Sequence, residues 1–323
     1  MTAPLQTEHP ARPILASRRI VLAITGVAIA VWLYVGFVLV LVGGNKAVIP
    51  IWMLIGSFTL AVDLLTVFSR RLGTQTTLTP RFLVIAFVIG GLGSVLIGGS
   101  LDTLTFDGLG REGAFLLAGF VEEAAKIALV VVLCRRLADK TVRNGLIVGG
   151  TVGLGFGAFE DLGYALHPFL GAPFNGHEVL QSMIAQIARA ASGPFGHPLW
   201  TALLAAALFA GVRNGRFRVT LRLVAAYVGV AVAHGLWDGA TGAGQELGRF
   251  GAGFGTLGSA VGGLLALGAV IVTVRVWFRL ARRVGAEYRQ QEPAGPTGHD
   301  GHGPEAVLPS AGDPHVVSGS GSS

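Results

Sequence analysis

Four segments of this sequence set acids, imidazoles and a lysine inside otherwise apolar stretches. The first reads Gly119-Phe120-Val121-Glu122-Glu123-Ala124-Ala125-Lys126. Glu122 and Lys126 are four residues apart, so on a helix they share a face and can pair. Glu123 points about 100° away, and a structural ion pair leaves it unexplained. The second runs Gly155-Phe156-Gly157-Ala158-Phe159-Glu160-Asp161-Leu162-Gly163-Tyr164. The third is His197-Pro198-Leu199-Trp200-Thr201, and the fourth His234-Gly235-Leu236-Trp237-Asp238. Two histidines and carboxylates from separate helices can make a catalytic zinc site, which takes three protein ligands and keeps a position open for water. Water held there has a pKa near 7, and a spare carboxylate can accept its proton.

The elements that must position these groups are membrane spans. The chain has 323 residues, 52% hydrophobic and 13% charged, about half the charged fraction of a soluble domain. Lipid is the solvent that fits, and a charge placed in it costs about 2.5–3.5 kcal/mol on insertion scales, so each such residue needs a reason. With about 20 apolar residues needed per crossing, the sequence predicts an all-α, polytopic transmembrane bundle of about eight spans. They are roughly Ile20–Val42, Ile51–Phe68, Phe82–Gly99, Gly113–Leu133, Asn144–Leu166, Ala191–Val212, Leu221–Gly239 and Phe254–Val274. The sixth is interrupted by Gly193-Pro194 and His197-Pro198, and proline breaks or kinks a helix. A re-entrant or interfacial piece followed by a spanning piece is therefore expected there. The first span is too long for a signal-peptide core and is read as retained.

Lysine and arginine distribute nineteen to four across the two sides of this topology, with Lys126 left inside a span. The positive-inside rule then puts both termini in the cytoplasm and the chain in the cytoplasmic membrane. Residues 1–19 form a cytoplasmic tail, 20–280 the membrane domain and 281–323 a cytoplasmic tail. From about Gln290 that tail is rich in Gly, Pro and Ser and is expected to be disordered. Its His299, His302 and His315 are incidental. Bases spread among short loops argue for no nucleic-acid partner. The single cysteine, Cys134, excludes an internal disulfide and speaks against a cysteine metal site. Asp161 is expected to be structural, Arg189 to meet headgroups or packing partners, and Tyr164, Trp200 and Trp237 to lie in an interfacial belt.

Taken in order, Glu122-Glu123-Ala124-Ala125-Lys126, Phe156-x-x-x-Glu160, His197-x-x-Trp200-Thr201 and His234-Gly235-x-Trp237-Asp238 resemble the motifs of the PrsW family of intramembrane proteases. That family is distantly similar to the CAAX prenyl proteases and the Abi proteins. The resemblance spans roughly residues 20–280. It implies a glutamate- and metal-dependent peptidase that cuts a membrane-anchored protein on the extracytoplasmic side. In the family's best-known role the substrate is an anti-sigma factor. Glu122 and Glu123 match the catalytic pair, His197 and His234 the family histidines, and Asp238 the end of the last motif. Where the prenyl proteases have FxxxH, this chain has Phe156-x-x-x-Glu160.

On this reading Glu122 is the base that activates water, and Glu160, His197 and His234 are the metal ligands, with Zn2+ as the metal, or bind the oxyanion and water where no metal is present. Lys126 tunes the Glu pair. HExxH and GxGD motifs are absent from the sequence, as is the initial Gly that a rhomboid-type Ser192 would need. The competing class is a proton- or ion-coupled transporter using the same buried network; no inverted repeat is evident. A non-catalytic membrane scaffold is the third.

Overall fold

The computed structural model describes residues 18–72, 78–170, 174, 176–248 and 251–291. The histidines at 299, 302 and 315 and most of both expected tails lie outside them. Among the described residues the chain is helical, with no strand. Helix α1 (Arg18–Tyr34) continues as a π-helical segment to Val42, and α2 (Ile49–Leu72) follows. Next come α3 (Pro80–Ile85), a second π-helical segment at Ala86–Gly90, and α4 (Gly91–Cys134). The remainder are α5 (Val142–Leu166), α6 (His177–Ser192), α7 (His197–Ala210), α8 (Leu221–Gly248) and α9 (Ala252–Gln291).

Local chemistry starts several of these helices. Thr79 accepts a hydrogen bond from the Phe82 backbone N–H at 3.2 Å, with Pro80 at the first helical turn. Thr141 caps α5 the same way through Asn144. Both satisfy amides that a helix start leaves unpaired.

Among the described residues, five stretches are long and apolar enough to cross a bilayer: Arg19–Val42, Lys46–Val67, Pro80–Leu104, Val142–Phe169 and Gly255–Glu287. They correspond to the first, second, third, fifth and eighth expected spans. The other three are helices as well, within α4, α7 and α8, but two of them carry the charged and imidazole side chains and α7 has only 14 residues.

Two departures from the expected layout bear on the site. The end of the third span and the whole of the fourth, expected as separate helices joined by a loop, fall within one helical stretch, Gly91–Cys134. A straight helix would hold Gly98 and Glu122 about 36 Å apart. Instead, a β-carbon placed on Gly98 would lie 3.2 Å from Glu122 Cγ, and one on Gly93 would lie 3.4 Å from Leu129. The stretch therefore doubles back, and its two halves pack antiparallel. The sixth span is broken as expected. Helix α6 descends beside α2, with Gln186 against Trp32 and Gly56. A 3-10 turn at Gly193–Phe195 ends it, and α7 restarts at His197.

Glycine lets two pairs of helices approach to backbone contact, as small residues do in membranes. At the α5–α7 crossing, a β-carbon on Gly153 would lie 2.8 Å from the His197 carbonyl carbon and 2.9 Å from Pro198 Cα. At the α4–α8 crossing, one on Gly119 would lie 2.8 Å from the Gly235 nitrogen and 3.1 Å from His234 Cβ. These crossings bring His197 and His234 to the acids of α4 and α5. Below them, Val130, Cys134, Leu146, Ile147, Val152 and Phe209 form part of the main apolar core.

Candidate active site

Helix α4 supplies three groups on about one turn. Lys126 Nζ donates to Glu123 Oε1 at 2.8 Å and to Glu122 Oε2 at 3.2 Å. It sits 3.5 Å from the Phe156 ring centroid, over its face, so the ammonium is held by two carboxylates and a π cloud. Glu123 and Lys126 are wholly buried, whereas the Glu122 side chain is 11% exposed. The i,i+4 pair read from the sequence is present, and the second glutamate is engaged as well. Thr201 Oγ1 donates to Glu123 Oε2 at 3.3 Å.

His197 opens α7 at the break and bridges two charged groups. Its Nδ1 lies 3.0 Å from Lys126 Nζ, and its Nε2 lies 2.9 Å from Glu160 Oε2. His234, on α8, is completely buried. Its Nδ1 is 3.2 Å from Glu123 Oε1, and its Nε2 is 3.1 Å from Asp238 Oδ2 and 3.5 Å from Glu122 Oε2. The two imidazole rings are 4.8 Å apart. His234 stacks on Trp200 at 4.6 Å between centroids. Trp200 is fully buried, so it is a wall of the site and not an interfacial aromatic.

Every residue expected at the site thus reaches one cluster: Glu122, Glu123, Lys126, Glu160, His197, His234 and Asp238. Their arrangement differs from the expectation in one respect. One ligand atom each from Glu122, His197 and His234 lie within 4.8 Å of one another, a group that contains Glu122 and not Glu160. Glu160 is engaged on the far side of His197 by Arg189, which pairs with both Glu160 and Asp161. Arg189 also stacks over Tyr164, its guanidinium carbon 4.2 Å from the ring centroid. It meets packing partners, one of the two expectations for it, at the rim of the site.

Asp102 is a site residue that the sequence reading missed. It stands in the first half of α4, with its carboxyl group beside that of Glu122. Only the reversal of α4 brings it there. The available signal was a lone carboxylate in the segment Gly98-Gly99-Ser100-Leu101-Asp102, immediately after an apolar span.

The donor set fits a metal. Two imidazoles and a carboxylate are the ligand types of catalytic zinc sites. Both ring nitrogens of His234 are buried without an aligned hydrogen bond, although acidic oxygens stand 3.1–3.5 Å away. Buried polar atoms normally find such partners; with Glu123 facing Nδ1, a metal ion on Nε2 would supply one.

No curated protein and no solved structure matches this chain. The model of the PrsW family intramembrane metalloproteases matches residues 79–277. That stretch begins at the cap of α3 and ends within α9, and it takes in every residue of the cluster. With the site assembled on those helices and more than half the chain covered, the protein belongs to the PrsW family: it is an intramembrane metalloprotease, a peptide hydrolase of the membrane.

Proposed function

We propose that the protein hydrolyses a membrane-anchored protein near the extracytoplasmic side, with an anti-sigma factor as the candidate substrate. One observation carries this reading: acids, imidazoles and a lysine from α4, α5, α7 and α8 meet around a single spot. The excess of arginine and lysine on one side of the bundle supports cytoplasmic termini and a cytoplasmic-membrane location. His234 lies 13 residues into α8 from Leu221, or about 20 Å from that basic end, which supports chemistry in the opposite half of the bilayer.

His197, giving up its Nδ1 contact with Lys126, together with His234 and Glu122, would hold the metal ion. Bound there, zinc supplies a Lewis acid and acidifies water to near neutrality. The protein's own groups then divide the work. Glu123, neutralised by Lys126 and steadied by Thr201, faces His234 Nδ1 and fixes that ring, as outer-shell carboxylates do. Glu160, held by Arg189, orients His197. Around His234 Nε2 the most open carboxylate is Asp238, whose side chain is 25% exposed against 11% for Glu122. Asp238 is therefore placed to take the proton as the water oxygen attacks the peptide carbonyl carbon. It returns the proton to the amine as the C–N bond breaks. Relative to the sequence reading, Glu122 and Glu160 change places as ligand and supporting acid, and the base moves to Asp238.

Comparing membrane-protein fragments from cells carrying wild-type protein, Glu122→Gln or His234→Ala tests this. Fragments made only by the wild type support it. An unchanged fragment pattern at equal expression removes the assignment.

A further inference from the structure

A hydroxyl inside a membrane helix can satisfy itself on its own backbone. Those of Thr59, Thr66, Ser94 and Thr151 each donate to the carbonyl four residues back. Ser57, on α2, does not. It is 6% exposed, and its Oγ has no hydrogen-bond partner among the described residues. A buried hydroxyl left in that way keeps the full cost of its lost hydration.

Ser57 lines a cavity of about 30 Å³ where α2, α5 and the α6–α7 break meet. Small residues leave the space: Gly153, Gly157 and Ala158 of α5, and Gly193 at the break, are among its walls. Asp161 and Arg189, the paired charges at the rim of the site, line it as well. Gly157 also packs behind His197, where a β-carbon would lie 3.5 Å from His197 Cδ2.

Size and charge together select the occupant. A water needs about 10–15 Å³ of such space and two to four polar partners, so the cavity has room for one or two. The guanidinium disfavours a cation and the carboxylate an anion, which leaves a neutral molecule. Asp161 receives Arg189 on Oδ1, and its second oxygen can accept. Arg189 uses Nε on Asp161 and one terminal nitrogen on Glu160, and a guanidinium has further N–H groups to offer. Ser57 Oγ can both donate and accept.

We propose that Ser57, Asp161 and Arg189 hold a buried water in this cavity, and that this water makes Ser57 a positioning residue for His197. The contacts run from the water to Arg189, from Arg189 to Glu160, and from Glu160 Oε2 to His197 Nε2 at 2.9 Å. Through them α2, which carries none of the clustered acids or imidazoles, steadies the His197 ring. The effect on catalysis rests on the hydrolytic reading above, whereas the water site does not.

The test has two parts, both on the full chain. A crystal structure grown from lipid, at a resolution that shows ordered water, is expected to place a water within hydrogen-bond distance of Ser57 Oγ and of Asp161 or Arg189. A cavity without that density would overturn the water site, whether or not the protein cleaves anything. The second part follows cleavage, in liposomes, of a Leu/Ala transmembrane peptide of about 21 residues with a Gly-Ser break near its outer end. Ser57→Ala is expected to lower kcat about five-fold and leave KM within about two-fold, because groups behind a ligand act on its orientation. On an Arg189→Gln background the same substitution is expected to cost nothing further, since members of one network are not additive. Losses that multiply in the double variant, or a Ser57→Ala kcat equal to that of the wild type, would overturn the positioning role. A wild type that leaves the peptide whole counts against the hydrolytic reading and the positioning role with it, while the water site stands or falls on the density alone.

Discussion

Two cations organise this site, and they do so differently. Lys126 is wholly buried and pairs with Glu122 and Glu123 of its own helix. Arg189 is 24% exposed and pairs with Glu160 and Asp161 across from α6 to α5. His197 stands between them, with Nδ1 toward the lysine and Nε2 toward Glu160. The lysine centre is sealed and made of one helix, so its integrity is a matter of desolvation. The arginine centre is open and joins two helices, so its integrity is a matter of alignment. Charge burial and helix placement, which both centres need, can therefore be perturbed one at a time.

The largest effect is expected at the sealed centre. Lys126→Met leaves Glu123 buried without its counter-ion, and breaking a buried pair costs about 3–5 kcal/mol. Unfolding in detergent should show that loss, and cleavage should vanish. Adding Glu123→Gln to the same chain should restore most of the stability and none of the activity. If stability does not return, burial of the charge is not what Lys126 relieves.

Next in size is the α4–α8 crossing. Gly119→Leu forces α8 off α4 beside His234, and misplacement by about 1 Å costs on the order of 100-fold in rate. The rate constant of cleavage should fall by that much while the protein still inserts and expresses. Chemistry and metal retention separate in a third comparison. His197→Ala and His234→Ala should lose bound metal, measured by elemental analysis after purification. Asp238→Asn should keep the metal and lose about 100-fold in rate. Metal loss in Asp238→Asn would make it a ligand instead of the base.

The smallest effect belongs to the open centre. Arg189→Gln removes a partly solvated pair, worth about 1 kcal/mol or less, and should lower the cleavage rate about ten-fold through Glu160 and His197. A stability loss as large as that of Lys126→Met would erase the distinction between the two centres.

Much of the site was legible because its chemistry is written in local spacing. Glu122 and Lys126 at i,i+4, and His234 and Asp238 at i,i+4, meet on one helical face whatever the rest of the chain does, and both contacts are present. The break in the sixth span was legible from Gly193-Pro194 and Pro198 for the same reason. What escaped depends on pairing between distant segments. Asp102 reaches Glu122 only because the Gly91–Cys134 stretch folds back on itself, and no period in the sequence encodes that register. Arg189 reaches Glu160 only because α6 descends beside α5. Trp200 reads as a belt residue by composition, and it becomes a wall of the site because Gly153 draws α7 against α5.

Lys126 also bears on how the protein is made. Its two salt bridges lie within a single turn of helix, three and four residues back along the chain. They form as soon as that turn forms, while α5, α7 and α8 are still unsynthesised. The two glutamates therefore depend on none of the later helices for their counter-ion. The histidines, which arrive on later helices, find the acids in place and partly neutralised.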